Sequence, residues 1–387
     1  MISLWSYPWT FAAEGLDEAW QTLGDIGVDA VNLASHYHSV RAMQPRFPES
    51  LFVQYPGGCY FEPDPARFDA TPIDPIPNDV PPFEDPLSAV VEYADAHGFG
   101  VNGWVVLCHN SRLGQANPAY RLESAFGDPQ DHAFCPSHPS VREYFAAVVA
   151  ATASRGVNEI QLESLGFRSV LHGHGSDFGH DKRQVLTTPT EETLLSQCFC
   201  GGCRTAAESH SVAFDDARTL VRNLLRSAFA DPQSDLPSLD GLVAEYPTLR
   251  DLFDFRAAVI ERLTARLADA AGDTALNYYV MDGNGLDAED VWPAGVRLGE
   301  LQRHLDRVTA LCYVRDPDVA RQRVRGIETI VDCPVDVGIT FDRETIRSPD
   351  ELRALVAAVR PSGDRRLHVY HHSLMSDAHL DWLRSVV

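Results

Sequence analysis

The most specific signals in this sequence lie in three segments: Phe134-Cys135-Pro136-Ser137-His138-Pro139, Val157-Asn158-Glu159-Ile160-Gln161-Leu162-Glu163 and Cys198-Phe199-Cys200-Gly201-Gly202-Cys203. The C-x-C-x-x-C spacing of the last segment places three thiolates within reach of one ion, whereas a tetrahedral structural zinc needs four ligands. Buried apolar cysteines or redox thiols are the alternative interpretation, but such cysteines rarely cluster at this spacing. With one more cysteine from the first segment, the predicted structural zinc site has four thiolate ligands: Cys135, Cys198, Cys200 and Cys203.

A single carboxylate, Glu163, ends the short apolar strand pattern that lies between the two cysteine segments. We expect the packing of this strand to hold the side chain in place at the strand's end. A partly buried carboxyl group in such a position is suited to general acid chemistry. Glu163 is therefore the leading catalytic candidate.

Outward from this region, apolar strand patterns alternate with helical patterns along the chain. The predicted strands are Ile2 to Tyr7, Asp29 to Ala34, Val101 to Cys108, a strand ending at Glu163, Thr274 to Met281, Arg307 to Tyr313, Val335 to Phe341 and Leu367 to His371. Eight strands separated by helices are typical of a (β/α)8 barrel. A doubly wound sheet is the competing fold, but it normally carries a glycine-rich phosphate loop after its first strand, and this sequence has none there.

We therefore predict an α/β fold, a (β/α)8 TIM barrel with long βα loops and a four-cysteine zinc site. The predicted domain is a single barrel over residues 1–387. It has a long loop insertion at 36–86 and a zinc-bearing helical insertion at 164–271.

In a barrel of this kind, the chemistry is located at the carboxyl ends of the strands. The predicted strand ends carry aromatic rings and polar groups, a combination that suits a polyhydroxylated ligand. The ligand-binding candidates are Trp5, Tyr7, His36, His38, Arg41, His109, Asn110, Tyr313 and His371. The carboxylate candidates besides Glu163 are Asp282 after the fifth strand and Asp342 after the seventh.

The histidines leave a second interpretation open. A single histidine at a strand end is more often a hydrogen-bonded loop residue than a catalyst, but His36, His38 and His109 together could hold a catalytic metal. His172, His174 and His180 lie in a predicted loop that could cover the site, bind metal or simply be solvated.

The charge balance limits the classes of partner. The formal net charge is −23, and Lys182 is the only lysine. Carboxylates spread along the whole chain indicate a solvated acidic surface of the kind that keeps proteins soluble in high salt, a halophilic signature. Such a surface argues against nucleic acid or an anionic membrane as partner.

The start of the chain lacks a basic, signal-like segment, and no apolar run approaches 18 residues, so we expect a cytoplasmic protein.

The three opening segments resemble the glycoside hydrolase family 42 β-galactosidases over residues 134–204. In that family a cysteine before the third helix and a C-x-C-x-x-C motif after the fourth strand hold a structural zinc. These elements flank the strand that delivers the acid/base glutamate. The resemblance implies the four cysteines above as zinc ligands and Glu163 as the acid/base. The family's nucleophile is a glutamate at the end of strand seven, where this sequence has Asp342 nearby.

These observations predict a glycosidase that acts on a carbohydrate substrate through two carboxylates and retains the anomeric configuration. Glu163 would be the acid and Asp342 the nucleophile, with Asp282 as the alternative. A sugar-binding barrel without catalytic activity and a histidine-metal hydrolase or isomerase are the competing functions. The sequence also leaves assembly into a homo-oligomer open.

The acidic composition generates a prediction about salt. Unscreened repulsion among the surface carboxylates should weaken the fold at low ionic strength. Thermal melts between dilute buffer and roughly 2 M KCl, where the Debye length falls below about 3 Å, should show the midpoint rising with salt. A midpoint that stays level or falls would contradict the halophilic interpretation.

Overall fold

The computed structural model describes residues 1–171, 184–185, 188–231, 233, 235–281, 291–342, 344–360 and 365–386. A closed barrel of eight parallel strands lies at its centre. The strands are β1 Ile2–Ser6, β2 Ala30–Tyr37, β3 Gly100–Val106, β4 Glu159–Glu163, β5 Ala275–Val280, β6 Arg307–Leu311, β7 Val335–Thr340 and β8 Leu367–Tyr370. Each strand pairs in parallel with the next, and β8 pairs with β1 to close the barrel. The predicted (β/α)8 TIM barrel is confirmed.

Helices connect the strands and cover the outside of the barrel. They are α1 Pro8–Glu14, α2 Leu16–Asp25, α3 Pro86–His97, α4 Ser111–Ala116, α5 Pro139–Ala153, α6 Pro189–Leu195, α7 Gly201–Glu208, α8 Phe214–Ala230, α9 Leu239–Glu245, α10 Pro247–Ala271, α11 Leu298–Leu301, α12 Pro317–Glu328, α13 Pro349–Val359 and α14 Asp377–Arg384. Short 3-10 helices lie at Pro48–Ser50, Pro65–Phe68, Pro118–Tyr120, Trp292–Ala294, Gln302–His304 and His372–Leu374. In the described part of the chain, none of the helices combines the length and the apolar character needed to cross a membrane.

Local sequence signals explain where these helices begin and end. In α3, the Asp85 carboxylate accepts a hydrogen bond from the Ser88 N–H, and Pro86 occupies the first turn, where a missing N–H costs nothing. The helix ends before Gly98, whose φ of 78° is accessible to glycine without strain.

Two β-hairpins extend the loops at the carboxyl end of the barrel. In the first hairpin, Val40–Met43 pairs antiparallel with Phe52–Tyr55, and the short strand Gly58–Cys59 follows beside β2. In the second hairpin, Arg121–Glu123 pairs with Pro129–Phe134. The first lies in the predicted insertion at 36–86, whereas the second lies between β3 and α5, where the sequence patterns indicated no element.

Alternation along each strand separates two environments. In β4, Ile160 and Leu162 pack in the large apolar core between barrel and helices. Glu159, Gln161 and Glu163 face the barrel interior, where their side chains meet polar and aromatic groups of neighbouring strands. The sequence Glu-Ile-Gln-Leu-Glu is therefore the pattern of a strand with one apolar face and one functional face.

An irregularity in β2 changes this alternation at His36. The register between β2 and β3 shifts between Ala34 and His36. As a result, Ala34 and Tyr37 both belong to the cluster at the barrel mouth, whereas the His36 ring packs against Tyr144 and Phe145 of α5.

His36 is therefore part of the outer core rather than the mouth. Its Nδ1 lies 2.6 Å from the Val106 carbonyl oxygen, its Nε2 lies 3.2 Å from the Tyr144 hydroxyl, and the residue is fully buried. The side chain that the sequence predicted to contact ligand faces the helices. Since both ring nitrogens already have partners there, His36 does not join His38 and His109 around a metal.

The burial of His36 predicts acid-sensitive stability. Desolvation lowers its pKa from 6.5 to about 4, so the unfolded chain binds the proton more tightly than the folded chain does. The contribution of neutral His36 to the free energy of unfolding is complete above about pH 6.5 and is lost as the pH falls toward 4. Between pH 7 and pH 4.5 the free energy of unfolding should fall by roughly 2 kcal/mol from this group. Guanidinium unfolding at these two pH values should show a smaller loss for His36→Gln than for the parent chain.

Burial also lowers the pKa of His371 and His372, so the variant should retain part of the acid sensitivity. Equal losses of unfolding free energy in the two proteins would contradict this account of His36.

Candidate active site

Glu163 ends β4 with its carboxylate at the barrel mouth, and the residue is 8% exposed. Its Oε2 accepts a hydrogen bond of 2.8 Å from the indole N–H of Trp104 on β3. The Trp104 ring is held in turn by an edge contact with Trp5, at 6.4 Å between centroids. A rigid aromatic side chain on the neighbouring strand therefore fixes the orientation of the carboxylate.

Tyrosines surround this carboxylate. Burial raises the pKa of Tyr37, Tyr279, Tyr313 and Tyr370, and the negative charge of Glu163 raises each of them further. These phenols are therefore protonated across the working pH range. They place neutral O–H groups around one carboxylate.

Glu163 opens onto a cleft of about 620 Å³, within the usual size range of small-molecule sites. The first hairpin forms one wall and the loop after β4 another. The lining residues are His38, Ser39, Val40, Arg41, Met43, Phe52, His109, His132, Glu163, Arg168, Ser169, Leu171 and Met281. Among these described residues, Glu163 is the single carboxylate. We call this the Glu163 cleft.

Four residues predicted from strand ends meet in the Glu163 cleft: His38, Arg41, His109 and Glu163. The His38 and His109 rings lie 4.7 Å apart between centroids. The ring of His132 from the second hairpin approaches His109 edge-on at 6.1 Å. Three imidazoles thus line the cleft, and each comes from a different segment of the chain.

Other predicted residues support the mouth from below. The indole N–H of Trp5 donates to the Tyr279 hydroxyl at 2.6 Å, and the Tyr7 hydroxyl donates to that of Tyr37 at 3.3 Å. Tyr313 packs against Tyr370 at 6.1 Å. These aromatic side chains build the wall that holds Trp104 and Glu163.

Asn110 and His371 make local backbone contacts. The Asn110 amide donates to the Tyr37 carbonyl at 3.1 Å, and its oxygen caps α4 at the Leu113 N–H. The Nδ1 of His371 accepts the Ser373 N–H at 3.2 Å, and its ring lies 4.1 Å from that of Tyr7. An accepting Nδ1 means that the neutral ring carries its proton on Nε2.

Neither of the other two carboxylate candidates is observed beside Glu163 in the described part of the chain. Asp342 lies in a separate cleft of about 420 Å³ beside Trp382. Its Oδ1 accepts hydrogen bonds from the N–H groups of Glu344 and Thr345 at 2.8 and 2.9 Å, so the side chain closes the turn after β7. Asp282 lies outside the described residues, as do His172, His174 and His180.

His132 and Arg168 are cleft residues that sequence reasoning missed. His132 lies on the second hairpin, where its Nε2 donates to the Ser169 carbonyl at 2.9 Å. Arg168 lies in the loop after β4. Neither ends a strand of the barrel, and strand ends were the signal that identified the other residues.

The four predicted zinc ligands form one buried cluster. The Sγ atoms of Cys135, Cys198, Cys200 and Cys203 all lie within 4.8 Å of one another, and no other described set of His, Cys, Asp or Glu is close enough to hold an ion. Burial raises the pKa of Cys135 and Cys198, whereas hydrogen bonds from the other three thiols lower that of Cys200. Four convergent buried thiols suit a tetrahedral metal ion.

The cluster also has polar neighbours that suit thiolate charge. The Ser137 hydroxyl lies 3.2 Å from the Cys203 Sγ, and the Glu123 N–H donates to the Cys198 Sγ at 3.4 Å. The cluster joins the end of the second hairpin to the start of α7. It therefore ties together the two segments that flank β4.

Comparison with known proteins agrees with the fold. The α-L-fucosidase isoenzyme 2 from Paenibacillus thiaminolyticus matches with a TM-score of 0.53 and 13% identity, over 96% of this chain and 45% of that one. The β-galactosidase from the psychrophilic Marinomonas ef1 matches with a TM-score of 0.53 and 12% identity, over 96% and 54%. This chain spans about half the length of each.

No family model matches the sequence, and no curated protein matches it either. At these identities the structural likeness concerns the fold alone. The chain has the (β/α)8 barrel fold that these glycoside hydrolases also have.

Proposed function

We propose that this chain is a glycoside hydrolase in which Glu163 is the general acid. The observation that carries the proposal is the position of Glu163: a nearly buried carboxyl group at the end of β4, oriented by Trp104, at the base of a ligand-sized cleft. The cleft's imidazole, guanidinium and serine hydroxyl groups suit a polyhydroxylated substrate. The barrel likeness to solved glycosidases supports the same class.

In this mechanism Glu163 protonates the departing glycosidic oxygen and later removes a proton from the attacking water. Because Oε2 accepts the indole N–H of Trp104, the transferable proton is best carried by Oε1. Polar side chains that line the cleft, such as His38, His109 and Arg168, hold sugar hydroxyl groups. The burial of the site keeps bulk water away from the acid.

A retaining mechanism also needs a carboxylate that attacks the anomeric carbon. We favour Asp282 for this role, because it follows Met281, which lines the Glu163 cleft. Asp342, the carboxylate nearest to the position where family 42 has its nucleophilic glutamate, is the alternative, but its Oδ1 is engaged by the turn after β7.

We further propose that the cysteine cluster binds one zinc ion. Zinc is the ion most commonly bound by four buried thiolates, three of them here at C-x-C-x-x-C spacing. The resemblance to family 42 over residues 134–204 supports this choice. The ion's role would be structural. It would hold the segments that precede α5 and α7.

Removal of one ligand tests the zinc proposal. Cys200→Ser should lose the ion, and its melting midpoint should fall by about 10 °C or more, because structural zinc binding is linked to folding. Elemental analysis of the purified native chain should give one zinc per chain. Cys333→Ser, outside the cluster, is the matched control and should keep both zinc and midpoint. A native protein without zinc, with Cys200→Ser melting like the parent, would contradict the proposal.

Leaving-group dependence tests the role of Glu163. Glu163→Gln keeps the shape and removes the proton, so aryl glycosides with poor leaving groups should lose about 100- to 10,000-fold in kcat/KM. Activated aryl glycosides need little protonation and should lose much less. The measurement is a panel of glycosides of graded leaving-group pKa in high salt. Glu92→Gln, on the exposed face of α3, is the control.

The same panel assigns the second carboxylate. Asp282→Asn should abolish turnover of both kinds of glycoside, because the nucleophile is needed whatever the leaving group. Loss of both kinds in Asp342→Asn instead would give the role to Asp342. Full activity of Glu163→Gln would remove Glu163 from the chemistry.

A further inference from the structure

The Glu163 cleft differs in charge from the rest of the protein. The chain carries 55 acidic and 32 basic residues, a net charge of −23. The described lining of the cleft instead has two guanidinium groups and three imidazoles against one carboxylate. Local positive charge in an acidic protein is expected where an anion must be bound, because the surrounding surface repels anions.

Arg41 is the lining cation that the first hairpin contributes. It lies on the first hairpin, where alternation turns Ala42 and Val53 toward the aromatic cluster of the mouth. Arg41, Met43 and Phe52 lie on the opposite face, and all three line the cleft.

Stacking holds the Arg41 side chain in place. Its Cζ lies 4.2 Å from the centre of the Phe52 ring, a cation–π contact. A stacked guanidinium keeps its N–H edges directed outward in the plane, which is the geometry that a carboxylate or sulfate binds with two hydrogen bonds. In the described part of the chain, no carboxylate forms an ion pair with Arg41.

We infer that the substrate carries an anionic group on its sugar, a carboxylate or a sulfate ester, and that Arg41 binds it. This inference rests on the proposed glycosidase function and specifies its substrate class. A neutral sugar could accept hydrogen bonds from the Arg41 guanidinium, but only an anionic group also gains from its charge. An acidic sugar would bind only where a local cation overcomes the repulsion of the acidic surface.

Paired ligands test the inference. Titration calorimetry compares glucuronic acid with glucose, galacturonic acid with galactose, and glucose 6-sulfate with glucose, all at one fixed KCl concentration. At least one acidic sugar should bind roughly ten-fold or more tightly than its neutral counterpart, and the carboxylate and sulfate arms identify the anion. Equal affinity within every pair would overturn the inference.

Variants then assign the contact to Arg41. Arg41→Gln should weaken the preferred acidic sugar by roughly 10- to 100-fold and leave the neutral one within about two-fold, and Arg41→Lys should lose less. Arg250→Gln, on α10 away from the cleft, is the matched control and should bind like the parent. An acid preference that survives in Arg41→Gln, or equal weakening of both sugars, would overturn the role of Arg41.

Hydrolysis is measured separately with the matched aryl uronides and neutral aryl glycosides. If the uronide is cleaved with a higher kcat/KM than the neutral glycoside, and Arg41→Gln loses this preference, both proposals are supported. Preferential binding of the acid without cleavage of any glycoside would keep the anion site and reject the glycosidase. Preferential cleavage of neutral glycosides would support the glycosidase and reject the anion site.

Discussion

Each strand of the closed barrel presents alternate side chains to the covering helices and to the interior, and this constraint determines the chemistry that the interior can hold. In β4 the inward positions are Glu159, Gln161 and Glu163, at increasing height in the barrel. Placing polar groups there is costly unless each finds a partner. The partners differ with height, and so do the roles of the two carboxylates.

At the floor of the barrel the charges are neutralised by arginine. Arg366 contacts Glu159 at 2.7 Å, and Arg307 binds Asp336 through two contacts of 2.6 Å. Burial alone would raise the pKa of Asp336, but the Arg307 guanidinium and further hydrogen bonds hold it below its ordinary value. Breaking such a buried pair leaves an uncompensated charge, so the side chains at the barrel floor are held in these pairs. Near the mouth, Glu163 meets the indole N–H of Trp104, a neutral donor that orients a carboxyl group without neutralising it.

The sequence contained enough to predict the barrel and the position of Glu163 at the end of β4, because strand alternation is a local property. It also predicted the cysteine cluster, because the C-x-C-x-x-C spacing brings Cys198, Cys200 and Cys203 together and a fourth thiol was sought at Cys135. His36 could not be placed, because one register shift in β2 turned it toward α5. The environment of Asp342 depends on the local turn from Asp342 to Thr345, and strand patterns do not describe such turns. His132 reaches the cleft from a hairpin outside the barrel, so strand ends could not identify it.

An acidic surface and a basic cleft act over different distances. At molar salt the Debye length is about 3 Å, so the repulsion of an anion by distant surface carboxylates is almost completely screened. A guanidinium in direct contact with a carboxylate is screened far less, because no counterion lies between them. In dilute buffer the long-range repulsion returns and opposes the approach of any anionic ligand. In the proposed anion site, high salt would thus leave contact groups such as Arg41 to control which ligand is bound.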